Sequence, residues 1–247
     1  MTKWSISEQT RCRVALASPP AVPGGPTFTS ELCPHADLAP LIKEVGVRTF
    51  SAGATLQFDG DEALHVMIIK SGSVRICKQT ADGRRAVVGF LSAGDFIGLA
   101  ALEVYSSSVE ALEPVQVWRF PRAAFRQQVS RCPLLEASIL LHVTSDLEAA
   151  QGQMLLLSRK AAIERLATFV LQLAYGKNED TSGRIRAIFH MTRTDMADFL
   201  GLTTETVSRC FTRLRRAGLL YFECATVIVL LNRPKLEDVA AGGASFR

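Results

Sequence analysis

The hydrophobic period of this chain changes once, at Pro121, and that single change limits the folds open to it. From Val47 to Phe120 short apolar runs are divided by turn signals: Ser51-Ala-Gly53, Asp59-Gly60-Asp61, Ser71-Gly72, Asp82-Gly83, Ala93-Gly94-Asp95 and Glu113-Pro114. Turns at roughly ten-residue intervals predict a β-sandwich or jelly roll, with strands over His65 to Ile69, Val74 to Lys78, Ala86 to Leu91 and Val115 to Phe120. Beyond Pro121 the period becomes helical. Leu134, Ile139, Leu140, Val143, Leu147, Ala150, Met154 and Leu157 recur at spacings of three, four and seven, which lays an apolar stripe along one helix from Leu134 to Ser158.

Such a helix is about 37 Å long at 1.5 Å per residue, longer than one small domain requires. Its stripe therefore serves either ordinary core packing or, as the length favours, a second copy of the chain through Leu140, Val143, Leu147, Ala150, Met154 and Leu157. Gly152 inside it weakens the helix and fits a close helix approach or a bend. A second helix is expected over Arg159 to Tyr175, ending at Gly176, followed by a polar loop from Lys177 to Arg184. Residues 13 to 30 concentrate Pro, Gly, Ser and Thr and read as an arm, with order beginning near Leu38.

Charge is unevenly placed. The net charge is +4, yet residues 160 to 235 hold twelve Lys/Arg against seven Asp/Glu, so the positive charge belongs to the C-terminal part, as a domain facing phosphates requires. Six cysteines (Cys12, Cys33, Cys77, Cys132, Cys210, Cys224) form no CxxC pair and read as reduced thiols, encoding neither a zinc site nor a disulfide framework. The N-terminus lacks the order of a signal peptide, and no apolar run approaches the roughly 18 residues of a membrane span, so a soluble, cytoplasmic protein with no membrane partner is expected.

Residues 192 to 217 carry the most specific local pattern. Thr192 can N-cap a short helix with apolar Met196, Ala197 and Leu200; Gly201 permits a tight turn, and Thr203 caps the next helix. There Val207, Cys210, Phe211 and Leu214 fall on one face, and Glu205, Ser208, Arg209, Thr212 and Arg216 on the other. A donor fork, an acceptor and a hydroxyl near a helix N-terminus suit base reading in the major groove of double-stranded DNA. Arg193, Thr194, Thr203, Thr204, Thr206, Thr212 and Arg213 are expected to hold phosphates. Two short strands, Leu219 to Phe222 and Thr226 to Leu231, complete a winged helix-turn-helix. The fold expected is α+β: a jelly-roll domain over residues 38–130 behind an arm over 1–37, a dimerisation helix over 131–158, and the winged helix-turn-helix over 159–247.

The segment LGLTTETVSRCFTRLRRAGLL resembles the recognition motif of the CRP/FNR superfamily, and Glu205, Ser208 and Arg209 reproduce the Glu-x-x-Ser-Arg signature of its FNR/FixK branch. GDEALHVMIIKSGSVRICKQTADGRRAVVGFLSAGDFIGLAAL resembles the family's sensory jelly roll, and QMLLLSRKAAIERLATFVL the junction after its dimerisation helix, so the resemblance covers residues 38 to 240. It implies a homodimer that binds a TTGAT-N4-ATCAA-like inverted repeat and contacts RNA polymerase. It also implies that Arg209 takes the box guanine, Glu205 its paired cytosine and Ser208 the neighbouring thymine.

The sensory half departs from its relatives. Where the cyclic-AMP-binding branch has a Glu for the ribose and an Arg for the phosphate, this chain has Leu99 and Tyr105, so cyclic AMP is not expected. An iron-sulfur cluster needs a tight N-terminal cysteine trio and a central cysteine; Cys12 and Cys33 alone precede the barrel, and the central position falls near Trp118. No metal site or cofactor is predicted, while haem or another small effector gating DNA binding stays open. His35, His65, His142 and His190 are scattered, and metal-binding barrel enzymes need clustered His and Glu where only His65 lies, so no enzyme is expected. Cys210, beside Arg209, is a candidate redox site if it is exposed.

Overall fold

The computed structural model describes residues 35–243 apart from 81, 82, 84, 100–102, 176 and 182. The arm through residue 34, with Cys12 and Cys33, lies outside the described residues, as do the expected helix end Gly176 and the turn residue Asp82. Helix α1 (His35–Val45) leads into β1 (Val47–Phe50), β2 (Thr55–Gln57), β3 (His65–Ser71), β4 (Val74–Gln79), β5 (Arg85–Leu91), β6 (Phe96–Ile97), β7 (Ser108–Ala111) and β8 (Val115–Pro121). These strands form two four-stranded sheets, ordered β1-β8-β3-β6 and β2-β7-β4-β5, with antiparallel pairing throughout. The jelly roll expected from the turn spacing is therefore present.

Strand β3 shows why the sheets pack as they do. Its side chains alternate between faces, and both faces are covered, so four consecutive residues are buried. Met67 and Ile69 point between the sheets towards Val74, Val109, Val115 and Val117. Val66 and Ile68 point outwards, with Phe120 of β8, against Leu38 of α1 and against Phe125 and Leu135 of the following helices.

Those helices are α2 (Arg122–Arg131), α3 (Pro133–Arg159) and α4 (Ala162–Leu173). Pro133 opens α3 at a position where its missing N–H costs nothing. The helix runs unbroken for 27 residues, about 40 Å. Leu135, His142, Ala149 and Leu156, seven residues apart, face the rest of the chain. Leu140 (66% exposed), Leu147 (59%) and Met154 (64%) lie on the other side with Val143, Ala150 and Leu157, although Val143 and Leu147 also border the barrel and Leu157 reaches Gly201. A Cβ at Gly152 would meet no atom of the same chain, so no close approach within the chain requires that glycine.

The second helix begins three residues later than the sequence pattern indicates. Lys160 and Ala161 are extended, and the Glu164 carboxylate accepts from the Ala161 N–H at 3.0 Å, which restarts the helix there.

The remaining elements are β9 (Ile185–Ile188), α5 (Arg193–Leu200), α6 (Thr204–Arg216), β10 (Leu220–Cys224), β11 (Val227–Leu230) and α7 (Arg233–Ala240). Strand β9 pairs with β11, so the wing is a three-stranded sheet ordered β10-β11-β9 rather than the two-stranded hairpin expected. Helices α1, α2 and α7 are further additions to the sequence reading. No described helix is long and apolar enough to cross a membrane.

Phe120 has no exposed surface, and its ring lies 6.0 Å from that of Phe125. Phe120→Ala is predicted to destabilise the barrel by about 3–5 kcal/mol, through lost burial and the cavity left behind. Urea unfolding followed by barrel fluorescence measures this, and a loss below about 1 kcal/mol would contradict the packing described.

Candidate nucleic-acid interface

Helix α5 is started by a reciprocal cap. The Thr192 hydroxyl accepts from the Asp195 N–H at 3.1 Å, while Asp195 Oδ2 accepts from the Thr192 N–H at 2.9 Å and from its hydroxyl at 2.7 Å. The helix ends at Gly201, whose φ of 62° is the left-handed conformation that L side chains avoid. A Cβ there would also stand 3.2 Å from Leu157 Cδ2 and 3.3 Å from Arg165 Nη1. Thr203 caps α6 by accepting from the Thr206 N–H at 3.1 Å.

Helix α6 divides as its spacing dictates. Val207, Cys210, Phe211 and Leu214 are buried against the domain core. Glu205 and Arg209 are among the most exposed side chains, at 72% and 75%, and pair with each other at 2.5 Å across one turn. Ser208 is exposed between them, its hydroxyl donating to the Thr204 carbonyl at 2.9 Å, and Thr212 donates to the Ser208 carbonyl at 3.0 Å. At about 100° per residue, Arg213 and Arg215 project roughly 80° to either side of this stripe. An exposed acceptor, hydroxyl and guanidinium flanked by two cations form a surface complementary to base edges between two phosphate strands.

The phosphate candidates are less uniform. Thr194, Thr204 and Arg213 are exposed, Thr203 and Thr206 bond to each other at 2.8 Å, and Thr206 and Thr212 are half-buried. Arg193 is the exception. Its guanidinium carbon stands 3.8 Å from the Phe211 ring centroid and 4.4 Å from that of Phe222 on β10, a cation–π platform shared by helix and wing. Burial pushes its pKa down from the ordinary arginine value. Arg193, Ser208, Thr212 and Arg215 line one cleft of about 230 Å³. The sequence pattern points to neither phenylalanine, nor to Arg215, as a residue of the interface. Phe211 fell on the buried face by period, and nothing in the chain order brings Phe222 to it.

Cys210 does not meet the condition for a redox site. It is buried, and burial pushes its thiol up against the opposing influence of Arg213, so the helix phase prevails over the neighbouring charge. Cys77 is likewise buried and pushed up.

A second cleft, of about 370 Å³, lies between the barrel and α3. At the position where the resemblance would put a phosphate-binding Arg, Tyr105 is buried, its hydroxyl donating to the His65 carbonyl at 2.9 Å and accepting from the His65 N–H at 3.2 Å. The ring lies so close to Gly98 that a Cβ there would stand 2.8 Å from Tyr105 Cε1. Among the described residues lining this cleft there is no Lys or Arg, and Asp146 brings a carboxylate to it. A phosphodiester does not fit such a lining.

Residues 47–132 match the cyclic nucleotide-binding domain family and residues 164–239 the Crp-like helix-turn-helix domain family. The chain is 35% identical over 221 residues to the nitrogen fixation regulation protein FixK of Bradyrhizobium diazoefficiens, covering 86% of this chain and 91% of that protein. It is 38% identical over 190 residues to the transcriptional activatory protein AadR of Rhodopseudomonas palustris, covering 74% of this chain and 77% of that one. The solved structure of FixK2 from Bradyrhizobium japonicum matches with a TM-score of 0.72 at 29% identity, covering 82% of this chain and 98% of that chain. With both domains in this order, and with such identity across most of each relative, the chain belongs to the CRP/FNR superfamily of DNA-binding transcription regulators, in the branch of the FixK proteins.

Proposed function

We propose that two copies of this chain pair along the outer stripe of α3 and read a TTGAT-N4-ATCAA-like inverted repeat. Arg209 takes the guanine, Glu205 its paired cytosine and Ser208 the neighbouring thymine. The observation that carries this reading is the exposed Glu205, Ser208 and Arg209 stripe on α6, held over a fully buried apolar face. Arg193, Thr194, Thr203, Thr204, Thr206, Thr212 and Arg213 then serve the phosphates, with Arg193 preset by its aromatic platform. The name of AadR as a transcriptional activatory protein supports activation, which this reading assigns to contact between DNA-bound dimer and RNA polymerase.

Pairing through α3 is supported by the alternating three- and four-residue spacing of Leu140, Val143, Leu147, Ala150, Met154 and Leu157, all exposed in the single chain. Six apolar positions in that spacing are the seam of a two-stranded coiled coil, and they leave α3 poorly satisfied alone.

Cyclic AMP is not the effector in this reading, since Tyr105 occupies the anion position. A second reading, a barrel gated by a small uncharged ligand, draws on Gln57. Its side-chain oxygen is buried without a hydrogen-bond partner in the wall of the same cleft, where it suits a ligand donor.

Arg209→Ala is predicted to cost roughly 1–3 kcal/mol on the inverted repeat and to relax specificity at one base pair, whereas Arg193→Ala weakens binding to specific and random DNA alike. Fluorescence anisotropy at fixed salt measures both, and an equal loss on the two DNAs for Arg209→Ala contradicts its assignment. Leu147→Asp, which places a carboxylate in the seam of both chains, is expected to weaken dimerisation by about a hundredfold or more. Sedimentation equilibrium reads this, and unchanged dimers would exclude α3 as the interface. Calorimetric titration with cyclic AMP is expected to show no binding at micromolar concentrations, and micromolar affinity would overturn the reading of Tyr105.

A further inference from the structure

Asp195 has no exposed surface, and a buried carboxylate needs a cation. Its own helix provides only neutral donors, the N–H and hydroxyl of Thr192, and these occupy Oδ2. The cations come from 120 and 110 residues away in the chain, on the barrel. Arg75 Nη1 of β4 donates to Asp195 Oδ1 at 2.7 Å, and Arg85 Nη2 of β5 approaches the same oxygen at 3.5 Å. Glu110 of β7 fixes the Arg75 fork from the barrel side, accepting from Nε at 3.0 Å and Nη2 at 2.6 Å, and lies 3.4 Å from Arg85 Nη1. Two carboxylates and two guanidinium groups thus close a charge-balanced cluster across the domain boundary.

An apolar pin accompanies it. Phe90 of β5 is buried in the core of the DNA-binding domain, its ring 5.3 Å from Phe199 of α5 and 6.2 Å from Phe169 of α4. A third contact, His190 Nε2 to Glu113 Oε2 at 3.3 Å, joins the residue before Met191 to the turn between β7 and β8. The covalent link between α3 and the head is the two-residue break at Lys160 and Ala161; Gln153, Leu156 and Arg165 hold the head to α3 at that break, and the barrel contacts hold it from the other side.

We propose that Arg75 and Arg85, acting through Asp195 and reinforced by Phe90, are positioning residues for DNA reading: they latch α5 to the barrel and so hold the reading head at one angle to α3. In a dimer, two heads must meet the major groove about one helical turn, roughly 34 Å, apart, and any swing of the head changes that distance. This last step rests on the proposed dimeric reading of an inverted repeat; the latch itself does not. The cluster is an oriented one, because a guanidinium fork held on one side by Glu110 presents Nη1 in one direction only.

Hydrogen exchange on the full-length chain separates the latch from ordinary stability. In an Arg75→Gln, Arg85→Gln double variant the amides of α5 and α6 are expected to exchange about tenfold faster or more, while those of β3 and β8 keep their wild-type rates. Asp195→Asn retains an oxygen for the Thr192 cap and removes the charge, and the same pattern is expected, weaker in size. Unchanged α5 and α6 rates in both variants overturn the latch, and so does an equal acceleration in β3 and β8. In the same variants the dissociation constant for the inverted repeat is expected to rise about tenfold, with random-sequence DNA affected less. Faster exchange with unaltered specific affinity overturns the positioning role. If the wild-type chain is monomeric or binds no inverted repeat, the reading of the recognition helix falls, and the exchange rates still decide the latch.

Discussion

Helix α3 carries two repeats, one turned to its own chain and one apolar and exposed, and the rest of the molecule is arranged around the difference between them. Residues seven apart, Leu135, His142, Ala149 and Leu156, face the chain's own domains. The first of them packs in the cluster outside the barrel with Phe120 and Phe125, and the last packs in the core of the DNA-binding domain with Leu166 and Leu200. One helix is thus a wall of both bodies. The second repeat, alternating by three and four, is exposed in the single chain. Under the proposed pairing, each leucine fully covered there by a partner would contribute roughly 1.5–3 kcal/mol before the cost of association.

The head is tied to that helix through the C-terminal carbonyls of α5, which no residue of α5 itself can satisfy. Gln153 of α3 donates to the Phe199 carbonyl at 2.7 Å. Arg165 of α4 donates to Leu200 at 2.9 Å, and with its other nitrogens to Leu157 and Lys160, also at 2.9 Å. A single guanidinium therefore spans the end of α3, the break after it and the turn before the recognition helix. Charge-assisted bonds of this kind contribute roughly 1.5–3 kcal/mol each, and their geometry is fixed by the planar fork. With Asp195 engaged at the other end, α5 is gripped at both termini by groups outside the helix-turn-helix, and the direction of α6 follows from that grip.

Periodicity made much of this visible in advance. Strands β3, β4, β5 and β8, the long helix, and both faces of α6 stand within two residues of where their alternation puts them, because each is half-buried or striped and its pattern reports its surroundings. The elements that pattern missed are those with weak local signals. Strands β1 and β7 have four residues each and β2 and β6 three and two, β9 gains its place from pairing with β11, and α1, α2 and α7 are short covers for apolar faces built elsewhere. The exposed stripe of Glu205, Ser208 and Arg209 was legible for the same reason as the buried one, since the two are a single period read from opposite sides. Arg193 on its two rings, and Arg75 with Asp195, were not: each joins residues whose separation in sequence carries no information about their distance.

Tyr105 shows how one substitution changes what the barrel contributes. With a cation at that position the barrel interior would stay polar and depend on an anion for compensation. A tyrosine instead brings its own ring and satisfies its hydroxyl on the β3 backbone, at both the carbonyl and the N–H of His65. The same strand, β3, pairs with β8, whose Phe120 packs against α1 and α2, so Tyr105 is bonded to the strand that supports those helices. Under the proposed function the jelly roll is a fixed mount for the reading head, and the unpaired oxygen of Gln57, in a cleft wall shared with Ser106, Ser107 and Asp146, is a polar group through which a small donor would alter it.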